Sequence, residues 1–500
     1  MPARPSEPSP PVSASPASSS PTSSSLSPSS PASSSPASSR SSTASFLRYA
    51  PLAVLSAAAG LDAGGVAVLN SALPSVSSRF GTSAQNLSWA VTGYALAFAG
   101  LLLCGGAMAD RLRRRRVLVG GLATLAAGAV LAFTAPAFWV VVVGRVLQGA
   151  GAAITMPAAT ALLTSVYPSG PMRSRALGVF SAAQAGCYGA GLVLGGVVTS
   201  AFGWRWVFAL QALAAALTAA AAVRWLPLGT HHRRGPLGLA GAAALVTAIT
   251  LTVFSTDLAS RPGDGLPAIA VLAAAAAIAY AWWRRGRTRG GDAVLLDRDL
   301  LRTRGVRTAA VVAGAFYFCV TGSLFLLPLY LQQVRGMSPA SSGLAVLPVS
   351  LAVAAAALVS GRLMKTRGPR PLLASGILLT AGGVLLWCTA GEHSPYVGPV
   401  LAGLVVTGIG QGLAFPAITV TGLRDVPHQA HGTASAVTAT ALQIGSGIGP
   451  TVLAGIAQAV GAAEGNDLSL RGHHLAYAAA AGLLLLIGLP ATARLTRRGD

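Results

Sequence analysis

Two ionisable residues stand where a soluble protein would not put them. Arg145, in the segment GRVLQGAGAA (Gly144 to Ala153), and Asp62, in a run of Ala, Gly and Val, both lie inside long apolar stretches. A charge in hydrocarbon is expensive, so such residues should face an internal cavity and find partners there. Gln148 is close to Arg145 on a helix, and Gly149 and Gly151 permit close backbone approach. A carboxyl in a low-dielectric setting can load and release protons, which makes Asp62 a candidate proton carrier. It could equally be a partner for Arg145 or a hydrogen-bonded structural acid, and Arg145 could be held by backbone carbonyls alone. Asn70, Tyr330, Gln332, Gln333, Gln411 and Gln443 could offer polar contacts in a substrate pocket. No metal or catalytic centre is expected: HExxH is absent, and the pairs His428/His431 and His473/His474 come without a carboxylate arrangement that suggests metal. Gly408, Gly410 and Gly412 form no nucleotide loop, because no strand precedes them and no Gly-Lys-Ser/Thr occurs. Cys104, Cys187, Cys319 and Cys388 lie in apolar runs without CxxC spacing and read as small packing residues.

The elements that position these residues must be membrane helices. Of 500 residues, 53% are hydrophobic and only 10% charged, and the mean hydropathy is +0.63. The net charge of +22 could indicate nucleic acid, but that hydropathy makes lipid the solvent and argues against both a cytosolic enzyme and a nucleic-acid binder. A bilayer core of ~30 Å needs about 20 helical residues. Runs of that length predict fourteen spans. Six lie near 50–70, 88–108, 117–135, 138–163, 176–198 and 204–226; two near 236–257 and 266–283; and six near 308–333, 340–361, 371–390, 396–421, 432–459 and 474–492. With both ends cytoplasmic, Arg79, Arg205, Arg261, Arg335 and Arg471 fall in outer loops and Arg145 within a span. All the other basic residues then lie inside, as the positive-inside rule requires. Trp204, Trp206, Trp282 and Trp283 sit at span ends, as an interfacial aromatic belt would place them. The Ser/Pro/Ala-rich residues 1–45 read as a disordered cytoplasmic tail and lack the pattern of a signal peptide.

One loop occurs twice. Between spans two and three the chain reads GAMADRLRRRR (Gly106 to Arg116), and between spans ten and eleven GRLMKTRGPR (Gly361 to Arg370). Each copy has the same place in a six-span half, and internal repeats of this kind mark secondary transporters, with substrate held at mid-membrane between the halves. The expected organisation is therefore a tail (1–45), an N-terminal bundle (46–230), two inserted helices (231–290), a C-terminal bundle (291–493) and a short cytoplasmic end (494–500).

At this point residues 50–490 resemble the major facilitator superfamily, and within it the fourteen-span drug:proton antiporters. The strongest stretch is LSWAVTGYALAFAGLLLCGGAMADRLRRRR, from Leu87 to Arg116. The resemblance implies an all-α polytopic membrane protein of major facilitator fold, two six-helix bundles with two additional central helices. It implies a gating loop at Gly106, Asp110 and Arg111, with Gly361 and Arg367 in the second copy, although Arg113 stands where the family has Gly and Lys365 replaces an acid. It implies proton coupling at Arg145 in the fourth-span motif, with Gln148, Gly149 and Gly151. In the first span Asn70, Ala72, Leu73 and Pro74 match the family, but the acid's position is Gly65, and Asp62 lies about one turn earlier. In the fifth span Gly191, Gly195 and Gly196 match an antiporter motif whose proline is Leu192 here; glycines four apart also simply let helices pack. The expected function is proton-coupled efflux of small hydrophobic drugs or antibiotics by alternating access, from a monomer in the cell membrane, with the proton gradient as energy source and no cofactor. An importer or a carrier without proton coupling is the alternative, and a membrane-embedded enzyme or sensor a remote one.

Overall fold

The computed structural model describes residues 40–167, 171–228, 265–288, 302–424, 426–427, 431–463 and 469–495, with isolated helical positions between 243 and 258. Residues 1–46 form one unit and Leu47 to Asp500 the other, and the account that follows concerns the second. No strand occurs among the described residues. The helices of the first half are α1 (Arg40–Phe80), α2 (Ala84–Arg111), α3 (Arg114–Phe133), α4 (Phe138–Val166), α5 (Pro171–Phe202) and α6 (Trp204–Trp225). After α7 (Gly265–Thr288) come α8 (Arg304–Leu329), α9 (Pro339–Arg367), α10 (Pro369–Trp387), α11 (Leu401–Leu423), α12 (His431–Ala463) and α13 (Leu470–Ala493). Wider π-helical turns at Tyr330–Val334 and Tyr396–Val400 extend α8 and lead into α11.

Helix ends are written in local chemistry. Ser83, Ser338 and Ser469 cap α2, α9 and α13 by accepting from the backbone N–H three residues on. Gly81 and Gly203, at φ 59° and 92°, supply the left-handed conformations that separate α1 from α2 and α5 from α6. The first helix therefore runs to Phe80, ten residues past the end expected from hydropathy, because hydropathy registers the lipid slab whereas Gly81 stops the helix.

Among the described residues, eleven helices are long and apolar enough to cross a bilayer. Against the fourteen expected spans, α2 and α7 do not meet that test, although α2 has 28 residues and α7 an apolar stretch at Leu266–Ile278. The span expected near 236–257 lies largely outside the described residues, as do the tail up to residue 39 and the residues after 495. Apolar side chains cover the outside as well as the core. On α6, Leu210, Leu213 and Leu217 are 41–62% exposed on one face, while Gln211, Ala215, Thr218 and Ala222 are buried on another. A helix with leucine outward and glutamine inward suits lipid, not water. Trp206 is exposed like an interfacial tryptophan, but Trp204, expected in the same belt, is buried and packs edge-on to Phe80 and Phe208. The side chains of Trp282 and Trp283 lie outside the described residues.

The third and fourth helices of both halves are joined in one way. A Cβ on Gly144 of α4 would stand 2.7 Å from the Gly128 carbonyl of α3, and one on Gly151 would stand 2.6 Å from that of Gly121. In the second half, a Cβ on Gly376 of α10 would lie 2.8 Å from the Gly410 carbonyl of α11, and Gly383 repeats this against Gly403. Such backbone-to-backbone packing is how helices associate where hydrocarbon surrounds them and burial of apolar area gives no driving force. The halves then meet crosswise, α2 against α12 and α5 against α9, second helix to fifth in each case. Replacing Gly144 by Val should overpack this seam at a cost of about 1–3 kcal/mol and lower the melting temperature of the purified protein. Gly120→Ala, at a glycine with open space, should leave it unchanged. Equal melting temperatures for the two variants would contradict this account of the seam.

Candidate functional site

A cavity of about 390 Å³ lies between the halves. It brings together Asp62, Asn70 and Arg145 from the first half with Gln411 and Gln443 from the second. Two other expected pocket residues lie elsewhere. Tyr330 is buried and donates its hydroxyl to the Gly391 carbonyl at 2.8 Å, and Gln333 is exposed on the π-helical turn after α8. Their neighbour Gln332 spans the halves instead, donating to the Ser71 carbonyl at 3.3 Å. On α8 the lining is drawn from Tyr317, Val320, Thr321 and Leu324, and Tyr330 and Gln333 lie beyond it toward the end of the helix.

Arg145 is 1% exposed, and its guanidinium is held from three directions. Its Nε donates to the Ala90 carbonyl of α2 at 3.1 Å and its Nη1 to Gln148 Oε1 at 2.6 Å. Its Cζ lies 4.3 Å from the centre of the Tyr94 ring, a cation–π contact. The Tyr94 hydroxyl in turn donates to Asp62 Oδ1, so a phenol links the acid to the guanidinium. Gly149 makes this possible, since a Cβ there would meet the Tyr94 carbonyl at 2.2 Å, whereas Gly151 serves the α3 seam.

The array extends to a residue that sequence reasoning missed. Gln148 Nε2 donates to Gln211 Oε1 of α6 at 3.0 Å, and both glutamines are buried. A Cβ on Gly65 would stand 2.0 Å from Gln211 Nε2. The position where the resembling family carries its first-span acid is therefore empty here, and the Gln211 amide fills the space. The available signal was a lone amide in the apolar run WVFALQALAAAL; Tyr94 was likewise in plain view in the strongest family-like stretch.

The fifth-span glycines divide their contacts. Gly191 and Gly195 bring α5 onto α1, at the Gly64 and Val68 carbonyls, whereas Gly196 faces the Pro339 carbonyl of α9 across the interface. Hydrogen bonds between the halves cluster at this end of the bundle. Ala340 N donates to Ser200 Oγ at 3.0 Å, Thr92 Oγ1 to the Gly447 carbonyl at 2.7 Å, and Ser88 Oγ to Thr451 Oγ1 at 3.1 Å. At the opposite end, where α2 joins α3, Arg114 donates to the Ala161 carbonyl and Arg115 to those of Val223 and Leu226, near the C-termini of α4 and α6. The Asp110 side chain lies outside the described residues, Arg111 is half-buried and Arg367 is exposed. Gly106 and Gly361 have open space where a Cβ would stand.

The Gly65–Gln211 contact yields a test. An alanine at position 65 would push aside the free end of Gln211, leaving Gln148 Nε2 buried without a partner at about 1–3 kcal/mol. Gln211→Ala should cost about as much, and Gly65→Ala added to it should cost little more. Melting temperatures of both single variants and the double variant check this; strictly additive losses would exclude the coupling.

Comparison with known proteins agrees with this architecture. Residues 55–450 match the Major Facilitator Superfamily. The chain is 32% identical over 442 residues to the puromycin resistance protein of Streptomyces alboniger, covering 84% of this chain and 86% of that one. It is 32% identical over 448 residues to the cephamycin export protein of Amycolatopsis lactamdurans, covering 86% and 90%. A methylenomycin A resistance protein of Streptomyces coelicolor is 30% identical over 388 residues, covering 77% and 80%. Among solved structures, the peptide transporter POT in complex with sulfate superposes with a TM-score of 0.65 at 16% identity, over 89% of this chain and 94% of that one, a likeness of fold. The chain belongs to the Major Facilitator Superfamily.

Proposed function

We propose that this protein is a proton-coupled exporter of small hydrophobic compounds, working as a monomer by alternating access in the cell membrane with both termini in the cytoplasm. The observation that carries the reading is one cavity, lined by both halves, in whose wall a carboxylate, a phenol and a guanidinium are connected. Names of relatives, which concern resistance and export, support the direction of transport. With that orientation the cluster of bonds between the halves lies on the outer side, and this conformation faces the cytoplasm. Gly106 and Gly361, with open space where a Cβ would stand, then keep room for the halves to close at the inner end in the opposite state.

The proton step follows from what the residues can donate. An ionised Asp62 accepts from Tyr94; a protonated one is itself a donor and no longer pulls on the phenol as a charge would. Tyr94 is two residues from Thr92 on α2, which bonds to α12 across the interface. One helix thus carries both the contact that senses the proton and a contact that distinguishes the two states, and a ligand shifts such an equilibrium only through differential interaction with them. Arg145 keeps its charge throughout and stabilises the ionised acid through the phenol between them.

The test uses inverted vesicles with an acid interior. Wild type should concentrate substrate, a protonophore should stop it, and Asp62→Asn should lose gradient-driven accumulation while retaining substrate exchange. Undiminished accumulation by Asp62→Asn would sink the assignment. Gly65 and Leu192, which stand where the resembling antiporters carry an acid and a proline, would then favour a carrier without proton coupling.

A further inference from the structure

Three residues that line the cavity each hold a buried polar atom without a partner: Asn70 Oδ1 of α1, and Ser350 Oγ and Gln411 Nε2 of the second half. Asn70 is 4% exposed, and its side chain is also hydrogen-bonded to the Tyr188 hydroxyl, which fixes the amide beside the cavity. Most buried polar groups in folded proteins are satisfied, so an orphaned acceptor, hydroxyl and donor around one space point to what enters that space. Rotation of these side chains toward the cavity as a ligand enters would satisfy them, and a ligand without matching groups forgoes those bonds. A ligand that pairs these groups is therefore favoured over a plain hydrocarbon body, by about tenfold for each bond made.

Charge narrows the class further. Among the described residues, the second half contributes no carboxylate, lysine or arginine to the cavity lining. The first half contributes one of each sign, Asp62 and Arg145, already connected through Tyr94. The remaining wall is aromatic, aliphatic, hydroxyl and amide, with Phe98, Tyr317 and Phe415 among its members. While Asp62 is ionised, such a lining offers no uncompensated charge to an ionic substrate.

We propose that the transported ligand is a neutral, largely apolar ring compound that carries both a hydrogen-bond donor and a carbonyl-type acceptor and bridges the halves. Its donor engages Asn70 on one side, and its acceptor engages Gln411, with Ser350 beside it, on the other. Asn70, Gln411 and Ser350 are thus specificity determinants, and engaging both halves at once is what lets this ligand hold them in register. The inference rests on the exporter reading but concerns recognition alone, which a binding measurement isolates.

The experiment measures binding to the full chain in nanodiscs by equilibrium dialysis. The probes are 2,6-diaminoanthraquinone (donors and acceptors), 2,6-dimethylanthraquinone (acceptors only) and ethidium (a cation). Wild type should bind the diamino compound at least tenfold tighter than the dimethyl one, and ethidium most weakly. Asn70→Leu should close the gap between the anthraquinones. Gln411→Leu should weaken both by about tenfold. Ser350→Ala, too small a change to disturb packing, should weaken the diamino compound several-fold, and with the wild-type series it decides the matter if either leucine variant fails to fold. Equal binding of the two anthraquinones, tighter binding of ethidium, or a gap unchanged in the variants overturns the proposal. Inverted vesicles separate this from transport. Proton-driven uptake of the probes without the expected discrimination leaves the exporter reading standing and removes this inference. Discrimination without driven uptake does the reverse.

Discussion

The burial of one guanidinium organises the first half of this protein. A charged group near the centre of a bilayer costs about 2.5–3.5 kcal/mol even on insertion scales. Two charge-assisted hydrogen bonds at about 1.5–3 kcal/mol each are of the size needed to offset that. Arg145 makes both, one to the Ala90 carbonyl and one to Gln148, and adds the face of Tyr94. Each partner imposes a condition on another helix. Tyr94 and Ala90 require α2 to lie against α4, which Gly149 allows, and Gln148 requires the Gln211 amide of α6, which the bare Gly65 allows. The acid is included through the Tyr94 hydroxyl rather than by direct pairing.

The second half has a different part. Its glycine seam between α10 and α11 repeats the seam between α3 and α4, so the scaffold is duplicated. Its share of the cavity lining is not: the charges lie on the first half, while the second presents hydroxyls, amides and rings. The proposed proton response therefore falls on the first half, while the proposed recognition draws on both. α2 stands where these roles meet, touching Asp62 through Tyr94 and α12 through Ser88 and Thr92.

Legibility of the site in the sequence followed the cost of each residue. Arg145 and Asp62 were conspicuous because charge in an apolar run demands an explanation. Gln148 followed from helical spacing. Gln211 and Tyr94 were visible but carry no charge, and what matters about them is their position between elements distant in sequence. Tyr330 and Gln333 were misplaced because the cavity takes its α8 lining from Tyr317 to Leu324, and how far along a helix a cavity extends is set by the packing of other helices. Trp204 beside Trp206 illustrates the same limit, since neighbouring residues at a helix start point in different directions and only packing against Phe80 decided which was buried.

The sequence by itself determined that the solvent is lipid, where most helices lie, that there are two related halves, and which charges are forced inward. These are properties of composition and of local or one-turn spacing, and hydrophobic transfer energies act on them residue by residue. The tertiary structure alone decided that Gln211 occupies the space left by Gly65, that Tyr94 joins Asp62 to Arg145, and that Asn70, Ser350 and Gln411 share one cavity with atoms left unpaired. Hydrogen bonds and orphaned polar atoms depend on the approach of helices far apart in the chain to within about 3 Å, a distance that no periodicity encodes.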